Sequence, residues 1–184
     1  MVREITQYGD PVLRKKCHPV EEVTDEIRSL AEDMVETMEA AHGVGLAAPQ
    51  VGIDLRMAVV DVSEDPSSIS YLKVDGKVTE LKELMPLVFI NPELDFLDEK
   101  EPFREGCLSI QGIQADVKRP IDVVAKLELL DGRKITVETD GLLSRAIQHE
   151  VDHLNGILFT DRVAAAVKVT LKRRLKKLLE ENDY

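Results

Sequence analysis

A chain of 184 residues, 43% hydrophobic and 32% charged, is long enough to bury most of its unfolded surface in one domain, so it needs no disulfide staple to fold. Its formal charge of −11, from 24 basic and 35 acidic side chains, argues against a general nucleic-acid or anionic-membrane binder; neither DNA nor membrane is an expected partner. No apolar run approaches the ~20 residues of a membrane span, the start Met1-Val2-Arg3-Glu4-Ile5 lacks a secretory apolar core, and Cys17 and Cys107 read as free thiols, so a soluble cytoplasmic protein is expected.

Thr24 precedes Ile27, Leu30, Ala31, Met34, Val35 and Met38, which share one helix face, and Asp25 and Glu26 fill the first turn. That spacing predicts a capped amphipathic helix ending near His42, with Gly43 in the left-handed conformation. Met57 to Val62 reads as a buried strand. Residues 63–86 read as a solvated excursion with a ragged hairpin at Asp75-Gly76, and Leu87 to Ile90 as a short strand closed by Asn91-Pro92. Ile121 to Leu130 and Arg133 to Glu138 are β-rich runs about Asp131-Gly132, a pair suited to a two-residue hairpin turn. After Asp140-Gly141 the apolar spacing turns helical through Leu142, Leu143, Ala146, Ile147, Val151 and Leu154, and Asn155-Gly156 supplies the stop. Val163, Val167, Leu171, Leu175 and Leu178 then form one stripe of a third helix. The expected fold class is α+β: short antiparallel strands packed around a central helix, with helices at both ends. Residues 165–184 carry six basic groups (Lys168, Lys172, Arg173, Arg174, Lys176, Lys177) and three acidic ones, which makes this amphipathic tail +3 and the rest of the chain −14.

The central helix carries the chemistry. His149 and His153 are four apart, one turn above the other, so two imidazoles can share one metal ion. Glu150, beside the first imidazole, is placed to act on water at that metal without being a ligand. A catalytic site needs a third protein donor, but no His lies downstream and Glu180 and Glu181 fall at a frayed end. The upstream candidate is Cys107 in Glu105-Gly106-Cys107-Leu108-Ser109, where a glycine permits close backbone approach and a thiolate suits a borderline-soft divalent cation. Alone, Cys107 would read as a core thiol. Small residues in Gly43-Val44-Gly45-Leu46-Ala47-Ala48-Pro49-Gln50 let a substrate backbone lie against them, and Gln50 offers an amide donor, although a tight helix-to-strand connection would use the same residues. Leu142, Arg145 and Ala146, at i−7, i−4 and i−3 from His149, are expected to wall a pocket beside the metal, with the Arg145 guanidinium at a wet rim. Cys17-His18 has no partner nearby and is expected at a surface or half-buried position.

In this order, the three segments Gly43 to Gln50, Glu105 to Ser109 and Gln148-His149-Glu150-Val151-Asp152-His153 resemble the peptide deformylase family. Gly9-Asp10-Pro11-Val12-Leu13-Arg14 and the hairpin leading into Asp140-Gly141-Leu142-Leu143 resemble it too, so the likeness covers nearly the whole chain. It implies a deformylase-like catalytic domain over 1–164 with the basic helix 165–184 appended. The implied metal ligands are Cys107, His149 and His153; the ion is typically Fe2+, though Zn2+, Ni2+ or Co2+ suit the donors as well. Glu150 would be the general acid and base, while the Leu108 N–H and the Gln50 amide would donate to the substrate carbonyl oxygen. Gly43, Val44, Gly45, Phe103 and Gly106 would border the substrate, and Glu105 with Arg119 would form an orienting ion pair. The implied reaction removes the formyl group from formylmethionyl nascent chains and releases formate, and the basic tail suggests ribosome contact. One departure is Gln111-Gly112-Ile113-Gln114, where many relatives carry a proline and an arginine. Three other readings stand beside this one: a zinc endopeptidase with the same helix, a ribosome- or RNA-binding module with a structural metal, and an inactive relative. The last would lack a key residue, whereas all four are present.

Overall fold

The computed structural model describes residues 1–97 and 99–184. Helix α1 spans Asp25–Ala40; Thr24 Oγ1 accepts from Ile27 N at 3.4 Å, and Asp25 and Glu26 lie at its positive end. It ends through His42, whose φ of 55° makes this residue, and not Gly43, the left-handed one. Three-residue β1 (Gly45–Ala47) and β2 (Met57–Val60) follow. Then come β3 (Leu72–Val74) and β4 (Lys77–Val78), joined by Asp75 and Gly76 with φ of 50° and 77°, as a tight hairpin turn requires. The one-turn helix α2 (Leu81–Leu84) leads into β5 (Leu87–Phe96), and β6 (Lys100–Cys107) and β7 (Ile110–Pro120) form a hairpin. Finally β8 (Val123–Glu128) and β9 (Lys134–Thr139) precede α3 (Gly141–Leu154), the short α4 (Phe159–Arg162) and α5 (Ala165–Glu181).

The strands make an antiparallel seven-stranded sheet, in the order β1-β2-β5-β8-β9-β3-β4, and a separate β6-β7 ribbon. All four residues of β2 are buried because both its faces are covered. Met57 and Val59 meet the α1 face of Met34 and Met38, while Ala58 and Val60 belong to the cluster that holds Leu143, Ala146, Ile147 and Val151 of α3. The ribbon turns Ile113, Ala115 and Val117 onto Phe159 of α4 and Leu171 of α5, which closes a third cluster. The architecture is α+β, with α3 in the middle. Among the described residues no helix is long and apolar enough to cross a membrane.

Several sequence expectations are corrected. The strand expected to close at Asn91-Pro92 runs on to Phe96 through a register shift between Ile90 and Glu93. This bulge suits a residue without an N–H, and Asn91, at φ 49°, spends its side-chain amide on both backbone groups of Val20 at 2.9 Å. The turn at Asp131-Gly132 is longer than two residues: Leu129 N donates to Arg133 O, leaving 130–132 beyond the last bonded pair with Gly132 at φ 87°. The excursion over 63–86 is not wholly solvated, since β3 joins the main sheet against β9 and Leu72 and Leu81 enter the core. The β6-β7 ribbon has no counterpart in the sequence reading. Cys17 is 3% exposed, inside the main cluster, and its thiol is pushed up to about 11, chiefly by burial.

Candidate active site

The central helix brings His149 and His153 to one face, and the ribbon brings the third donor. Cys107 ends β6, paired with Ile110 after a register shift at Gly106, and this irregularity at the hairpin turn sets the thiol toward α3. Cys107 Sγ lies 3.3 Å from His153 Nε2, and one donor atom from each of Cys107, His149 and His153 falls within 4.8 Å of the others. His149 Nδ1 faces Glu105 Oε1 at 3.0 Å, which directs Nε2 to the donor cluster.

Behind these donors runs a buried charge network. Arg119 grips Glu105 through Nε, at 2.8 Å to Oε2, and through Nη2, and reaches Asp152 through Nη1 at 2.8 Å. Burial opposes the charge on Glu105, but the hydrogen bonds from His149 and Arg119 outweigh it, so the carboxyl is pulled down to about 2. His149 is likewise resisted by burial and held well above its ordinary value by Cys107 and Glu105. His153 is driven well below its ordinary value by burial and by the positive charges of His149, Arg119 and Arg14. The orienting pair expected at Glu105 and Arg119 is therefore present as part of a larger network that sequence reasoning did not foresee.

Glu150 is different. Burial raises its carboxyl to about 7 against the attraction of His149 and Arg119. Among the described residues its buried Oε2 has no hydrogen-bond partner, and neither has His153 Nδ1. One thiol and two imidazoles form a donor set that fits a divalent metal, with the unpartnered carboxyl beside it as a proton acceptor.

The segment Gly43 to Gln50 forms the opposite wall. A Cβ on Gly45 would overlap the Glu150 carboxylate, so the close approach demands glycine there, while one on Gly43 would stand 2.8 Å from Leu108 Cδ1 and displace that side-chain tip. Gln50 accepts from Ala47 N through Oε1 at 2.9 Å, which turns its NH2 toward Ser109 Oγ (3.2 Å) and Cys107 Sγ (3.5 Å). The Leu108 carbonyl accepts from Gln7 Nε2 at 3.3 Å, tying the thiol loop to the N-terminal segment.

These walls enclose a cleft of about 600 Å³. It brings together Gly43, Val44, Gly45, Gln50, Phe103, Glu105, Gly106, Cys107, Leu108, Leu142, Arg145, Ala146, His149 and Glu150. His153 lies deeper, at 1% exposure, and Arg119 stays behind the wall. The Arg145 guanidinium is not at a wet rim: it is buried, with Nη1 donating to Val117 O at 3.0 Å, Nη2 to Glu101 O at 3.1 Å, and Nη1 3.4 Å from Glu105 Oε2. It also sits 5.4 Å above the Phe103 ring.

A sequence model of the family described as Polypeptide deformylase matches residues 2–169. The chain belongs to the peptide deformylase family. It is 45% identical over 178 residues to a peptide deformylase of Methylacidiphilum infernorum (isolate V4), spanning 97% of this chain and 93% of that one. A peptide deformylase of Dictyoglomus thermophilum is 43% identical over 176 residues, 96% of this chain and 100% of its own. Among solved structures, the peptide deformylase of Thermotoga maritima superposes with a TM-score of 0.76 at 36% identity, covering 89% of this chain and 99% of that one. That of Synechococcus elongatus, in complex with actinonin, gives 0.78 at 37% identity over 99% and 86%. Membership of a deformylase family lends no support to the endopeptidase reading or to a non-catalytic RNA-binding module.

Proposed function

We propose that the chain is a metal-dependent hydrolase that removes the N-formyl group from the N-terminal formylmethionine of new polypeptides, giving formate and a free amine. The observation that carries this reading is the meeting of Cys107, His149 and His153 within 4.8 Å of one another, with the unpartnered Glu150 carboxyl buried beside them. A divalent cation held by these three donors would supply Lewis acidity, which makes water nucleophilic near neutral pH and polarises a carbonyl. Fe2+ is the expected ion by family resemblance, and Zn2+, Ni2+ or Co2+ match the donor chemistry.

The chain's own residues do the rest. Glu150, buried and without a hydrogen-bond partner on Oε2 among the described residues, takes the proton of the attacking water and returns it to the departing amine. The Gln50 NH2, oriented by the Ala47 N–H that donates to Gln50 Oε1, and the Leu108 N–H donate to the carbonyl oxygen as it gains charge. Glu105 and Arg119 keep His149 oriented. Gly43, Gly45 and Gly106 admit the peptide backbone; Val44, Phe103, Leu142, Ala146 and the Arg145 stem form an apolar wall suited to an unbranched thioether.

The cytoplasm is the compartment proposed, with nascent chains as partners. Contact with the ribosome through the appended helix 165–184 is supported by its exposed Lys168, Lys172 and Arg173. Part of the tail's charge is spent internally: Lys177 pairs with Glu181, Lys176 lies 4.0 Å from Glu180, and Arg174 donates to Gly112 O at 2.6 Å. The direct test is formate release by anaerobically purified protein from a formyl-Met peptide, run beside cleavage of an internal amide. Formate without internal cleavage is expected; internal cleavage without formate would overturn the assignment.

A further inference from the structure

Helix α3 walls two cavities. Its stripe Leu142, Arg145, Ala146 and His149 faces the cleft, while Gln148, Val151, Asp152 and Asn155, spaced at i, i+3, i+4 and i+7, line a second cavity of about 370 Å³ on the other side. Of its lining only Arg119, which with Glu105 keeps His149 oriented, enters the mechanism.

Its charge is unlike that of the chain. Of thirteen lining residues, Arg56, Lys100, Lys118, Arg119 and Arg162 are cationic and only Asp152 is acidic. Arg119 is shared with Glu105 and Asp152, and Arg162 forks onto Asp152 at 2.5 and 2.6 Å. Against these two carboxylates, five cations leave an excess of three in a protein of net charge −11. Among the described residues Arg56 donates only to neutral oxygens, Leu154 O and Asn155 Oδ1, at 3.2 and 2.9 Å, which fixes it in place without neutralising it. Among the described residues neither Lys100 nor Lys118 makes an ion pair. In the ribbon Lys100 pairs with Pro120, two residues on from Lys118, so both lysines stand on one face, the face turned to the pocket.

The third wall is apolar. Pro92, Leu94 and Phe96 alternate along β5 toward the same space, and the Phe96 ring is half exposed. Fixed guanidinium groups and exposed ammonium groups beside an exposed ring match an anionic phosphate joined to a flat organic ring. The volume lies at the small-molecule end of ligand sites and does not suit a groove that tracks a strand of nucleic acid. We infer that the pocket behind α3, between Arg56, the Lys100/Lys118 ribbon face and Phe96, binds a small phosphate ester of the nucleotide type.

The test is calorimetric titration of the full-length, metal-loaded protein with ADP as the probe nucleotide, pyrophosphate as the ring-free control and a single-stranded RNA oligonucleotide as the polymer control. One ADP per chain is expected, bound equally well when a methionyl peptide fills the cleft. The affinity should fall about tenfold or more in Lys100→Ala/Lys118→Ala, which removes two charge-assisted contacts while leaving formate release unchanged. Phe96→Ala should weaken ADP and leave pyrophosphate as it was. No ADP binding at millimolar concentration, equal binding by the lysine double variant, displacement by the methionyl peptide, or binding of RNA alone would overturn the site. A Phe96→Ala variant that binds ADP normally would overturn its nucleotide character.

Discussion

The molecule carries two cysteines in opposite settings. Cys17 lies in the main sheet cluster, 3% exposed, where burial pushes its thiol up to about 11. Cys107 stands at the turn end of a ribbon, half-buried, with the His153 imidazole 3.3 Å away and that of His149 beside it. The difference between the regions goes beyond the thiols. Cys17 packs into an apolar cluster, with Asp54, Arg56 and Lys15 at its edge; around Cys107 the buried residues include Glu105, Arg119, Arg145, Glu150, Asp152 and His153. Burying so much charge is costly unless each group is paired, and here the pairing is selective: Glu105, Arg119 and Asp152 satisfy one another, while the Glu150 oxygen and the His153 nitrogen are left over. The paired groups hold the scaffold and the unpaired ones are where chemistry can occur.

The largest effect follows from removing an unpaired group. Glu150→Ala should keep its metal, because the carboxyl is not a donor, and lose turnover by about 10²- to 10⁴-fold. Measured metal content and formate release together decide this, and near-normal turnover would show that the leftover carboxyl has no chemical role. A smaller effect is expected from Ala146, on the cleft stripe of α3 and in contact with the core cluster. Ala146→Phe should retain metal and fold but lose formyl-Met turnover by on the order of 10²-fold, since the anchoring side chain no longer fits and the reacting carbonyl is displaced. Ala146→Gly should be far milder. Steady-state kinetics with circular dichroism distinguish these outcomes; full activity in a folded Phe variant would move the methionine pocket elsewhere.

The smallest effect sharpens the contrast between the thiols. In metal-stripped protein at pH 8, iodoacetamide should label Cys107 and spare Cys17, read by peptide mass spectrometry. A raised folded-state value means that Cys17 binds its proton more tightly when folded. The stability from that neutral thiol is therefore full below its ordinary value near 9 and lost as pH rises toward 11. Labelling of Cys17 at pH 8 in folded protein would contradict its burial.

How much of this could be read from the chain depends on whether the partners are local. The His149–His153 spacing, the Thr24 cap and the Asn155-Gly156 stop are local, and each was legible. Cys107 was legible as a candidate donor, but the β6-β7 ribbon that brings it to the two histidines was not, because its outward positions carry Lys100, Glu101, Arg104, Asp116 and Lys118. The one available signal was the alternation of Ile113, Ala115 and Val117, buried at every second position. Missing the ribbon also misplaced Arg145, whose acceptors Glu101 O and Val117 O both come from it. The Asn91 bulge was hidden for a similar reason, since its partner Val20 is 71 residues away.

The central claim is that the apolar-core rule for a lone cysteine fails at Cys107 because the thiol is a metal donor. X-ray absorption on zinc-loaded protein tests it directly. The account predicts one sulfur at ~2.3 Å and two imidazole nitrogens at ~2.0–2.1 Å, with the sulfur lost in Cys107→Ala. A first shell without sulfur, or one that is unchanged in Cys107→Ala, would contradict it.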